Sequence, residues 1–91
     1  MSERETTEGQ LLFDRFLTRN RINNGKAAEG LGVSRPTVFH WRIAEKRPTD
    51  HQRAKIEVWT NGAIPAVTWR TAEERVEIRN TRPFMATGTD G

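Results

Sequence analysis

The sequence predicts an all-α fold, a compact four- to five-helix bundle, with a C-terminal segment whose structure the pattern leaves open. Three observations predict it. Apolar residues recur at helical spacing between residues 7 and 61. A Ser, Thr, Asn or Asp stands before each such run, and two runs end at a glycine. A chain of 91 residues also suits one domain near the lower end of independent stability.

The first helix is expected over 7–20. Thr6 or Thr7 can cap it, Glu8 suits its first turn, and Leu12, Phe13, Phe16 and Leu17 share one face. A short second helix follows over 25–31, with Asn24 as its cap. Ala27, Ala28 and Leu31 lie on one side, and Gly32 stands where a left-handed end residue belongs. The third helix spans 35–45, capped by Ser34, with Pro36 in the first turn, where a missing N–H costs nothing. Val38, Trp41 and the stem of Glu45 are expected to face inward. A fourth helix over 49–61 is capped by Thr49 or Asp50, carries Ile56 and Trp59 as its stripe and ends at Gly62. Beyond it, "AIPAVTW" reads as an extended apolar segment. "TAEERVEIRN" offers two readings, a helix opened by a Thr71–Glu74 capping box or a strand from the Val76–Arg79 alternation. In domain terms, residues 1–6 are expected to be a flexible start and 7–64 the main domain. Residues 65–82 would be an extension suited to dimerisation, and 83–91 a loose tail.

Composition excludes several classes. The chain has no Cys, so disulfides and thiolate metal sites are impossible, in keeping with a reducing cytoplasm. No apolar run approaches the roughly 20 residues of a membrane span. The opening "MSERETTEGQ" is too acidic for a secretory signal. Charge is unevenly spread. Residues 1–14 are net −3, residues 15–55 net +7 and residues 56–91 net −1. A concentrated basic segment is the footprint of a polyanion binder.

That basic segment encloses "LGVSRPTVFHW", where two short helices meet at a tight glycine-containing turn, a helix-turn-helix. Small Ala28 lets the helices cross closely. Gly32 supplies the turn, and Leu31, Val38 and Trp41 fix the pair to the core. So fixed, the third helix can enter a DNA major groove with its N-terminal residues at base edges. The stretch "NNGKAAEGLGVSRPTVFHWRIAEKRPTDHQRAKIEVWTNGAI" resembles the Cro-type and lambda-repressor-type helix-turn-helix proteins of phages and prophages, over roughly residues 10–64. In that family a small residue, a glycine four positions on and inward apolar residues make the motif. Here these are Ala28, Gly32, Val33, Val38 and Trp41. The resemblance implies that "KRP" at 46–48 lies in a backbone-contacting loop. Many relatives carry a glycine directly after the recognition helix, where this chain reads "RIAEKR", so a longer exit is expected.

Arg35 opens the third helix and can make a bidentate contact to guanine O6 and N7. Phe39, on the outward side, can meet a thymine methyl. Pro36, His40 and Arg42 complete the base-contacting candidates. Ser34 and Thr37 can donate to phosphates, Asn24 with the open N–H groups of the second helix makes a phosphate seat, and Lys26, Lys46 and Arg47 are candidate clamps. Val58, Ile64, Val67, Trp69, Val76 and Ile78 are the apolar candidates for a dimer interface. Trp69 reads either as a lid on the core or as a dimer anchor.

The expectation is a sequence-specific DNA-binding regulator, most simply a repressor, working as a homodimer on a palindromic operator of double-stranded DNA. An autoregulating antitoxin is a close variant. A DNA-binding assembly or architectural protein, such as a small terminase subunit, is the reading from another class. No enzyme is expected. Ser2 and Ser34 are the only serines, Cys and Tyr are absent, and the two His assemble no nucleophile–base–orienter set. No cofactor or metal is expected, because His40 has neither a second His nor a carboxylate at ligand spacing.

Overall fold

The structure, a computed structural model, describes residues 6–84. The expected flexible start and loose tail fall largely outside them. Among the described residues there are five α-helices and no strand: α1 (Glu8–Arg19), α2 (Asn24–Leu31), α3 (Arg35–Arg42), α4 (Asp50–Trp59) and α5 (Ala72–Arg79). A short 3₁₀ helix (Ala66–Trp69) stands between the last two. None of them is long and apolar enough to cross a membrane.

Local chemistry sets most boundaries. Thr7, Ser34, Thr49 and Thr71 each accept a backbone N–H at a helix start. Thr49–Gln52 and Thr71–Glu74 are complete capping boxes. Residues 72–79 are thus helical and not a strand. The capping box satisfies two N–H groups of a free helix end, whereas a lone strand would find no neighbour to pair with. Gly32 closes α2 in the left-handed region at φ 70°, where an L side chain would be strained.

Several boundaries move by one to three residues; α4, expected to run to 61 and end at Gly62, stops at Trp59 with Thr60 as its cap. Asn23, not Asn24, caps α2: its Oδ1 accepts from the Lys26 N–H at 2.7 Å, and Asn24 is the first helical residue. The third helix stops at Arg42 instead of 45, because Ile43 caps it and Ala44 turns left-handed at φ 63°. Ala44 adopts the left-handed conformation that favours glycine, so the exit is tight and not lengthened. Glu45 is exposed there and lends no stem to the core.

The core gathers Phe13 and Leu17 of α1, Ala27, Ala28 and Leu31 of α2, Val38 and Trp41 of α3, Ile56 of α4, and Ile64 and Trp69. Three aromatic rings form its centre. Phe13 lies 5.9 Å from Trp41, edge-on at 67°, and 5.8 Å from Trp69 at 59°, both within the favourable range for tilted pairs. Gly9 makes room for Trp69, since a Cβ there would fall 2.7 Å from the indole. Gly30 does the same for Trp59, whose ring lies half-buried 5.9 Å from Phe16.

The segment expected to be extended is therefore a 3₁₀ turn that drives Trp69 into the core, and the bundle continues past residue 64. Two expected interface residues, Ile64 and Trp69, are almost wholly buried within the chain. They cannot face a partner. Val58, Val67, Val76 and Ile78 remain exposed.

Candidate nucleic-acid interface

α2 and α3 are joined by the turn Gly32–Ser34 and pack directly on each other, while α3 also leans on α1. Val38 and Trp41 hold α3 inward. At about 100° per residue, the opposite side presents Arg35, Pro36, Phe39 and His40. The first three are exposed and His40 is half-buried. Phe39 remains 48% exposed, with its ring 5.8 Å from that of His40.

Arg35 lies across the start of α2. A Cβ on Gly25 would come within 3.1 Å of its Nε, so the glycine gives the guanidinium its place. Asn23, Asn24, Gly25, Arg35 and Arg42 line one open cleft at this helix start. The cleft joins positive charge to free N–H groups of α2, which is the chemistry that receives a phosphate.

Several expected DNA contacts have other tasks. Arg42, expected to read a base, donates from Nε to Asp14 at 2.7 Å, from one terminal nitrogen to Asn24 Oδ1 at 2.9 Å and from the other to Thr18 at 3.1 Å. Its own carbonyl accepts from Gln10. It is the strut between α1, α2 and α3, with three of its five N–H donors committed to them. Asn24 is likewise engaged by Arg42. Arg47, expected as a clamp, makes a bidentate pair with Glu74 at 2.7 and 3.1 Å and donates to the Trp69 carbonyl at 3.3 Å. The Glu74 carboxyl is held down to about pH 2 by that guanidinium first and by the Thr71 backbone N–H second.

Ser34 is consumed by its cap. Its Oγ accepts from the Thr37 N–H at 3.3 Å and pairs with the Thr37 hydroxyl at 2.7 Å. Lys26 and Lys46 are exposed. Lys55 was not among the expected contacts, yet its ammonium lies 3.2 Å from where a Cβ on Gly32 would stand, beside the turn into α3. Only the concentration of basic residues before position 56 pointed to it.

Among the described residues, no group of His and carboxylates could hold a metal ion. Comparisons of the chain with protein-family models, with curated proteins and with solved structures gave no match.

Proposed function

We propose that this protein is a sequence-specific double-stranded-DNA-binding regulator, most simply a repressor, acting in the cytoplasm as a homodimer on a two-fold operator. The observation that carries the reading is the division of α3. One side is anchored by Val38, Trp41 and the Arg42 strut, and the other projects Arg35, Pro36, Phe39 and His40. A rigidly held helix is about 10–12 Å across with its side chains, which a major groove about 12 Å wide admits. Arg35 would read guanine. The start of α2, with Lys26, Lys46 and Lys55, would seat the backbone.

A lone motif of this size touches too few bases for tight specificity, which favours two copies spaced by about one helical turn, ~34 Å. Exposed Val58, Val67, Val76 and Ile78 supply apolar surface for that pairing.

Selection of binding sites from a random duplex library at fixed salt tests the proposal. The wild type and an Arg35→Ala/His40→Ala variant are run side by side. A palindromic motif that the variant loses or relaxes supports it. Binding without any enriched motif, with a steep salt slope, favours an architectural role instead. Failure to bind duplex DNA rejects it.

A further inference from the structure

The outward face of α3 has an unusual chemistry for a reader of base edges. Arg42, a candidate for direct reading, and Arg47, Ser34 and Thr37, candidates for the backbone, already have partners. Arg42 is spent on Asp14, Asn24 and Thr18, Arg47 on Glu74, and Ser34 with Thr37 on the helix start. What remains exposed is one guanidinium, Arg35, followed by the apolar surfaces of Pro36 and Phe39. Phe39 keeps 48% of its surface in water. The His40 ring leans on one flank of it at 5.8 Å, so the phenyl is backed within its own helix while its outer side stays open.

Such a face can make one bidentate hydrogen-bonded contact through Arg35 and a single hydrogen bond through the His40 ring, and its most exposed remaining surface, Pro36 and Phe39, is apolar. The major groove offers a single apolar group, the C5 methyl of thymine. A 5-methylcytosine carries the same methyl at the same place. Arg35 and Phe39 are four residues apart, so they stand about 6 Å apart along the helix axis, or one to two base-pair steps.

We propose that this face selects its half-site by a pyrimidine C5 methyl, held against Phe39 and Pro36 one or two base pairs from a guanine bound by Arg35. The proposal rests on the DNA-binding reading above and adds to it the group that is recognised.

The test uses the full chain and a duplex recovered by site selection, with affinity read by fluorescence anisotropy at fixed salt. Each thymine is replaced in turn by deoxyuridine, which removes only the methyl and keeps every hydrogen-bonding group. At one or two positions per half-site the loss should be about three- to fivefold, and elsewhere nil. Replacing the sensitive A·T pair by G·C and by G·5-methylcytosine separates the two sources of the methyl. Tighter binding of the methylated cytosine by a similar factor assigns the methyl itself, and no difference assigns thymine alone. Phe39→Ala should make binding indifferent to deoxyuridine. Its exposure predicts an unchanged thermal melt, which separates loss of reading from loss of fold. Phe39→Leu, still apolar, should keep part of the discrimination. Specific binding that ignores deoxyuridine at every position overturns this proposal and leaves the DNA-binding reading intact. Absence of any duplex binding overturns both.

Discussion

Arg42 shows how one side chain can serve structure where its position on the helix suggested recognition. Its fork holds Asp14, Thr18 and Asn24 at once, with 22% of the side chain exposed. Arg42→Ala should destabilise the fold by about 1–3 kcal/mol, read by urea denaturation. The same variant should enrich the same binding motif as the wild type. A stable variant with a relaxed motif would return Arg42 to the reading face. Ala44 makes the opposite prediction. Held at φ 63°, it bears a strain that glycine would not, so Ala44→Gly should raise stability by up to about 1 kcal/mol, or roughly 4–8 °C in Tm. Neither role was legible in the sequence. The Arg42 strut joins residues 18 to 28 positions apart, which no local pattern records. Choosing Asn23 over Asn24 as a cap needs the backbone itself, since both side chains suit the task. Arg35 and Phe39 were legible, because helical spacing alone sets them opposite Val38 and Trp41.

At the scale of elements, α1 to α4 were largely written in caps and spacing. The segment after them was not. "AIPAVTW" has no periodicity to reveal which side packs, and only the finished bundle shows that Gly9 leaves a slot for Trp69. α5 is attached differently from the rest. It buries no residue, and its ties to the bundle include the Arg47–Glu74 pair and an Arg75–Glu8 contact at 3.2 Å. Partly exposed ion pairs are worth about 0–1 kcal/mol each and weaken with salt. α5 should therefore exchange its amide hydrogens sooner than α1 or α3, and sooner still in high salt. Its pH dependence follows from Glu74. The folded carboxyl titrates near 2, below its unfolded value of about 4.3. The stabilisation is thus fully present above that unfolded value and is lost as pH falls through the range toward 2. Glu74→Gln should remove this acid sensitivity of α5 exchange while leaving the core helices as they were. Unchanged acid sensitivity would assign it to other carboxylates.

For the whole molecule, charge and surface divide the work. Basic residues concentrate in 15–55, where α2 and α3 present their open sides. The surviving exposed apolar residues, Val58, Val67, Val76 and Ile78, lie on α4, the 3₁₀ helix and α5. On the proposed reading two protomers should occupy each operator, as sedimentation equilibrium on the selected duplex would show. A Val67→Asp/Val76→Asp variant should weaken that stoichiometry without altering the half-site.

The central claim is that the outward face of α3 meets DNA, and one titration tests it most directly. The uniformly ¹⁵N,¹³C-labelled protein is titrated with the selected duplex, and chemical shifts are followed residue by residue. The account predicts the largest changes at the start of α2 and along α3, in Lys26, Arg35, Phe39 and His40, with the buried core and the far end of α5 little moved. Changes confined to α4 and α5, with Arg35 and Phe39 unmoved at saturation, would contradict it.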